Sequence, residues 1–381
     1  MSMRDYDFML TDDQIDLRNL VADFAQNEVK PVCREAEKTA TVPEDLVKTA
    51  MEMGLHLVTV PEEYGGLGLD CMSYAVVREE LARGDSGFAS RVFGFGFEPL
   101  KLAGTEEQKK WAADIMVNGG VMAFGLTEAT GSDAGSMKTT ARKVGDDWVI
   151  NGGKTFITNG DCADIITIFA VTDKEKGTRG GITAFLLPKD TPGFTVGEHE
   201  DKMGIRCVHT NSLFFDEMVL NKKYMLGEEG QGYKIAMQIL DNSRPCTASS
   251  AVGVAQSALD EAVAYAKDRV VFGKAIWKHE GIGFLLADME MRTQAARQMV
   301  WGACKCADAG IVNKKLVSSA KCFAGDTAMY VAQNAVQVLG GNGYSREYPV
   351  EKLMRDAKIY QIFEGTNQIQ RMIISGQLCH A

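Results

Sequence analysis

The stretch "TTARKVGDDWVIN", Thr139 to Asn151, decides the fold class, because it interrupts a chain whose two ends read as helix. Two β-prone runs flank a Gly-Asp-Asp turn, the pattern of a hairpin. "DIITIFAV", "ITAFLLP" and "SLFFDEMVL" follow at intervals broken by Gly, Pro and Asn, so the β signal runs from about Met122 to Leu220. Short strands without helical periods between them predict a small antiparallel sheet or barrel. Upstream, Leu17, Leu20, Val21 and Phe24 recur at i, i+3, i+4 and i+7 after "TDDQ", which has the spacing of a capping box, and Pro31 follows. "PEEYGGLGLD" breaks that pattern as a turn before "YAVVREELAR" resumes it. Downstream, "AVGVAQSALDEAVAYAKDR", "FLLADMEMRTQAARQMVWGACKCADAG" and "KLVSSAKCFAGDTAMYVAQNAVQVLGG" are long alanine-rich helical runs, whose small residues suit an antiparallel bundle. The class is α+β, mostly α, with domains expected at 1–120, 121–225 and 226–381.

A chain of 381 residues, 45% hydrophobic and 24% charged, buries a large core. Its net charge of −10, with no Lys/Arg-rich run, argues against nucleic acid as a partner. Nine cysteines show no CxxC spacing; Cys207 with His209 and Cys379 with His380 are the only close Cys/His neighbours, too few for zinc or a disulfide scaffold. No metal is expected. "MSMRDYDFMLTDDQ" carries charges where a signal peptide needs an apolar core, and no segment has the roughly 18 uninterrupted apolar residues of a membrane span. A cytoplasmic protein without membrane insertion is the expectation.

Four motifs carry chemistry. "GLTEATGSDAGSM" (Gly125 to Met137) can aim backbone N–H and hydroxyl groups at a polar ligand, although a Ser/Gly surface loop looks the same. "NGGKTFITNGD" (Asn151 to Asp161) places Phe156 and Thr158 between Asn-Gly pairs, suiting a flat ring or, equally, two hairpin turns. "QVLGGNGY" ends a long helix at a Gly pair. In "YQIFEGTNQIQR", Ile359, Ile362 and Phe363 surround Glu364 with apolar bulk, which raises a carboxyl pKa toward the range of a useful base.

Together, "LTEATGSD", "NGGKTFITNG", "KMGIR", "LGEEGQGY", "QVLGGNGY" and "RDAKIYQIFEGTNQIQR" resemble the acyl-CoA dehydrogenase family in order and spacing over nearly the whole chain. The resemblance implies a helical N-terminal domain, a middle β-domain and a C-terminal four-helix bundle, with FAD bound non-covalently in a homotetramer built as a dimer of dimers. It implies α,β-dehydrogenation of an acyl-CoA thioester, with electrons passed to an electron-transferring flavoprotein. It makes Glu364 the base that takes the α-proton as the β-hydrogen leaves as hydride, with its backbone N–H and a flavin ribityl hydroxyl stabilising the thioester oxygen. Other branches place the base at the position of Ser243, a poor substitute for a carboxylate. Phe124, Leu126, Thr127, Gly131 and Ser132 match the loop lining the flavin and the pantetheine entrance. Phe156, where tryptophan is more usual, and Thr158 match the segment beside the isoalloxazine. Arg269, Phe272, Gln337, Gly340 and Gly341 resemble contacts to the FAD diphosphate and adenosine across a subunit boundary. Thr366 and Gln368 match the segment after the base, and Arg244 the arginine near acid and substrate.

The chain departs from the family at four places. "TEATGSD" is one residue shorter than "TEPGAGSD". Val271 and Glu280 replace polar groups near FAD. Phe363 replaces a tyrosine of several relatives. "GFASRVFGFGFEP" puts Arg91 and four phenylalanines where the acyl pocket closes, so Arg91 either points outward, the favoured reading, or meets a polar acyl group. Short, branched, cyclic or aryl-substituted acyl chains fit this family. The alternatives are the same chemistry in reverse as an enoyl-CoA reductase, and a non-catalytic FAD- or acyl-CoA-binding assembly protein. An acyl-CoA oxidase needs a domain for which the chain lacks room, and a decarboxylating dicarboxyl-CoA dehydrogenase needs a pocket cation.

Overall fold

Helices occupy both flanks of a central sheet, as the alternation of sequence patterns predicts. A computed structural model describes residues 6–379, so the readings that rest on residues 1–5 and on His380 lie outside the described residues. The N-terminal helices are α1 (Asp12–Phe24), α2 (Lys30–Thr39), α3 (Glu44–Glu52), α4 (Cys71–Gly84), α5 (Ser86–Phe93), α6 (Glu98–Ala103) and α7 (Glu106–Val117). Thr11 and Gln14 form the expected capping box. Two details of the predicted stripe change. Leu20 is exposed and Arg18 is buried instead, paired with Asp7. Pro31 does not end the helix, because a π-helical turn at Ala25–Val29 leads into α2 and places the proline in that helix's first turn, where a missing N–H costs little.

Eight strands form one sheet: β1 (Met122–Gly125), β2 (Thr140–Val144), β3 (Asp147–Thr158), β4 (Ile165–Val171), β5 (Ile182–Pro188), β6 (Phe194–His199), β7 (Thr210–Asn221) and β8 (Met225–Leu226), in the order β6-β7-β3-β2-β4-β5-β8 with β1 on β4. The Gly-Asp-Asp hairpin joins β2 to β3 as expected. The sheet is not wholly antiparallel, since β1 and β2 each meet β4 in parallel. Of the two turns the Asn-Gly pairs allowed, only Asn159-Gly160 forms; Asn151-Gly152 instead continues β3, with irregularities at Ile150/Gly152 and Lys154/Ile157.

The C-terminal part holds α8 (Gly232–Asp268), a small hairpin of β9 (Val270–Val271) and β10 (Lys274–Ala275), then α9 (Glu280–Asp308), α10 (Lys314–Leu339), α11 (Val350–Ala357) and α12 (Asn367–Cys379). Gln256 on α8 meets Arg297 on α9, so these two run antiparallel, and α10 returns parallel to α8. Close approach depends on glycine at two points. A Cβ at Gly253 would lie 2.2 Å from the Glu79 carbonyl of α4, and one at Gly325 would lie 2.5 Å from the Tyr360 carbonyl. A second apolar cluster, with Phe97, Leu100, Met122, Leu126, Phe169, Ile235 and Ile239, fixes the start of α8 against the sheet.

Candidate active site

Glu364 lies between α11 and α12 with φ +57°, followed by Gly365 at +84°. A left-handed backbone costs a non-glycine residue roughly 1–2 kcal/mol, so surrounding contacts must hold it. Three side chains do so. Arg244 Nε (α8) and Gln370 Nε2 (α12) donate to the Glu364 carbonyl at 3.1 and 3.2 Å, and Lys321 Nζ (α10) and Gln370 Nε2 donate to the Gly365 carbonyl at 2.7 and 2.9 Å. The carboxylate accepts from Ser243 Oγ at 2.9 Å and Thr247 Oγ1 at 3.4 Å. Burial raises its pKa above the ordinary carboxyl value, while Ser243 and the nearby Arg244 oppose the rise. The Glu364 N–H donates to no acceptor among the described residues.

Arg244 is buried and also bonds Asp241 through Nη1 at 2.8 Å. It stands beside the acid, as expected, and grips its main chain. Asn242, one residue before Ser243, donates to Glu98 at 2.6 Å. Nearby, Phe95 stacks on Phe124 at 4.2 Å, and the Thr155 N–H donates to the Thr127 carbonyl at 2.9 Å. This chain of contacts brings Phe124, Leu126, Thr127 and the end of β3 to the side of α8 that carries the Glu364 contacts. Phe156 has φ +57° and is 63% exposed, so the irregularity in β3 turns its ring outward. Thr158 is half-buried, Gly131 and Ser132 are exposed, and the buried Thr130 Oγ1 has no hydrogen-bond partner among the described residues.

Two residues that the sequence reading missed hold this region. Glu128 accepts from the Lys138 and Thr139 N–H groups, closing the "TEATGSD" loop on itself, and pairs at 2.6 Å with Lys154 of β3. Burial lowers the Lys154 pKa to about 8 despite that partner, and the Glu128 carboxyl, which burial alone would raise, is held below its ordinary value by Lys154. Both are charged at neutral pH. Lys321 was also missed, although its spacing to Gly325, Ala328 and Ala332 put it on the apolar stripe of α10.

Arg269, Phe272, Gln337, Gly340 and Gly341 gather elsewhere. Asn342 donates to the Tyr265 hydroxyl at 2.9 Å, which joins the end of α8 to the Gly-rich turn after α10. Arg269 lies 25 residues beyond Arg244, roughly 35 Å along a helix at 1.5 Å per residue. All five are exposed, Phe272 to 93%. Glu280 is exposed at the first turn of α9, where an acid stabilises the helix, and Val271 is half-buried. Thr366 caps α12 by accepting from the Ile369 N–H, while Gln368 is exposed. Phe363 packs edge-on against Tyr360, whose hydroxyl is within 2.7 Å of Ser86. Arg91 does not point outward. It is 7% exposed and bonds Glu44 of α3 at 2.9 Å, so its counter-ion comes from the protein.

Models of the acyl-CoA dehydrogenase N-terminal, middle and C-terminal domains match residues 11–119, 123–218 and 230–379. The chain belongs to the acyl-CoA dehydrogenase family. It is 44% identical to the acyl-CoA dehydrogenase of Bacillus subtilis over 374 residues, 97% of this chain and 98% of that one. It is 41% identical to the short-chain specific acyl-CoA dehydrogenase of Clostridium acetobutylicum, over 98% and 99% of the two chains. Among solved structures, butyryl-CoA dehydrogenase from Megasphaera elsdenii superposes with a TM-score of 0.94 at 42% identity, covering 99% and 100%. A chain from work on the electron transferring flavoprotein of Acidaminococcus fermentans gives 0.95 at 41%, covering all of both.

This acyl-CoA dehydrogenase is an oxidoreductase whose cofactor is FAD. The residues fit the group: an outward aromatic ring at Phe156, an unpartnered hydroxyl at Thr130 and an uncrowded glycine at Gly131 offer a stacking surface, a hydrogen bond and clearance for a planar heterocycle. Among the described residues no helix is long and apolar enough to cross a membrane.

Proposed function

We propose that Glu364 is the base of an α,β-dehydrogenation of short acyl-CoA thioesters. The observation that carries this is the pairing of a half-buried carboxylate, whose pKa burial raises, with a main-chain N–H on the same residue that meets no acceptor among the described residues. Burial makes the carboxylate a stronger base than a solvated one, against the opposing pull of Ser243 and Arg244. The unspent N–H is a fixed donor for the thioester oxygen, on which negative charge grows as the α-proton moves to Glu364. FAD, when bound, supplies the hydride acceptor for the β-hydrogen. Phe156 and Thr158 would hold its ring, with Phe124, Leu126, Thr127, Gly131 and Ser132 from the loop and Thr366 and Gln368 from the segment after the base. Ser132 also faces the pantetheine, and Arg244 fixes the acid against the substrate. The short-chain relative and the butyryl-CoA enzyme support a short acyl group.

We also propose that the active unit is a homotetramer, a dimer of dimers, acting in the cytoplasm and passing electrons to an electron-transferring flavoprotein. Arg269, Phe272, Gln337, Gly340 and Gly341 lie toward the far end of α8 from the Arg244 that touches Glu364, which supports their serving a cofactor held by a neighbouring copy. The exposed Phe272, Trp277, Phe284 and Met291 support burial of that region in the assembly. The change from helix to strand and back supports domains at 1–120, 121–225 and 226–381. Anaerobic bleaching of the flavin by a panel of acyl-CoA thioesters tests the reading: butyryl-sized thioesters bleach it fastest, and a panel that leaves it oxidised overturns the assignment.

A further inference from the structure

Three cysteines from three helices meet behind the Glu364 site. Cys71 opens α4, Cys246 lies on α8 between Arg244 and Thr247, and Cys304 lies in the last turns of α9; their sulfurs are all within 4.8 Å of one another. Cys71 Sγ and Cys246 Sγ are 3.5 Å apart. Cys246 and Cys304 are buried and Cys71 is half-buried, so the cluster reaches solvent on one side. Asp308 pins the position of Cys71 by accepting its N–H at 2.7 Å and that of Met72 at 3.1 Å. Nothing in the dehydrogenation uses these thiols.

We propose that Cys71 and Cys246 form a reversible disulfide when the protein meets hydrogen peroxide, a redox-sensitive site that ties α4 to the segment of α8 that touches Glu364. One thiolate attacks a peroxide oxygen, the O–O bond breaks, and a sulfenic acid and hydroxide result. The second thiolate attacks that sulfur, the S–S bond forms, and hydroxide leaves and is protonated to water. The balance is two thiols and one hydrogen peroxide to one disulfide and two waters. Cys71 is the sulfur that meets peroxide, because it alone of the three is not fully buried. Cys246, at 3.5 Å, is the resolving thiol. A thiophilic metal fits the spacing less well in energy. Three thiolates around a monocation leave net negative charge in a cluster walled by Met72, Val300 and Trp301, whereas a disulfide is neutral.

The test is peroxide treatment of the purified holoprotein, followed by alkylation and peptide mapping without reductant. The nine free thiols should fall to seven, with the peptides of Cys71 and Cys246 linked, and dithiothreitol should restore nine. Cys71→Ser should keep all eight of its thiols under the same dose, and because that site is half-buried the variant should fold. A wild-type protein that keeps nine thiols, links a different pair, loses only Cys379 or carries a metal on the cluster overturns the proposal.

Discussion

Lys321 Nζ donates to the Gly365 carbonyl at 2.7 Å, so a buried ammonium on α10 sets the backbone of the turn that presents Glu364. Burial brings its pKa down to about 8 from the ordinary lysine value of 10.5. Lys321→Met deletes this support and should lower the rate of flavin reduction tenfold or more, on the order of 1.4 kcal/mol in barrier, while FAD content stays full. Stopped-flow reduction beside the visible spectrum separates the two; an unchanged rate means the turn holds itself. The stability effect has a definite sign. Between pH 8 and 10.5 the unfolded chain holds the proton that the folded one has released, so wild type should gain stability over the variant as pH rises through that window. Denaturant unfolding at pH 7.5 and 10 reads it.

Glu364→Gln keeps the shape and removes the base. Flavin reduction by a good substrate should fall by roughly 10² to 10⁴, and binding of a substrate analogue should survive. Reduction at near wild-type rate would show that another group takes the α-proton.

Ser243→Ala removes a donor that favours the ionised Glu364. With burial then less opposed, the carboxyl pKa rises further, so the acid limb of the rate profile should move to higher pH by about 0.7 of a unit, the worth of a hydrogen bond near 1 kcal/mol. A limb that stays in place would assign the ionisation to a different group.

Glu128→Gln removes the carboxylate that holds the Lys154 pKa up, so the buried amine is left unpaired and inclined to shed its proton, and the loop that Glu128 closes is opened. Loss of about 3 kcal/mol or more is expected for one partner of such a pair, with FAD lost in dialysis before the fold is. The double variant Glu128→Gln with Lys154→Met should recover part of the stability. Calorimetry and flavin absorbance on the three proteins decide it.

Glu44→Gln strands the Arg91 guanidinium, whose Nε and Nη1 already lack hydrogen-bond partners among the described residues. It should cost about 1–3 kcal/mol and leave the order of preference among acyl-CoA thioesters unchanged, as should Arg91→Met. A changed order would place Arg91 in the acyl pocket after all.

Periodicity was enough for the succession of helix, sheet and helix, because each pattern spans many residues and every residue adds to it. Motif order likewise made Glu364 legible, since an acid in an apolar run with a glycine after it stands out locally. Three things needed the fold. The direction of β1 and β2 against β4 depends on how distant segments align, which strand composition does not encode. Phe156 faces outward because an irregularity in β3 takes it to a positive φ, and Asn-Gly pairs around it fit a turn as well as a strand. The pairs Glu128 with Lys154, Arg91 with Glu44, and Lys321 with Gly365 join residues between 26 and 47 positions apart. The sequence by itself determined which elements form and where the acid sits. Only the tertiary structure decided which charges are buried together, because burying a charge is tolerated solely where packing supplies its partner.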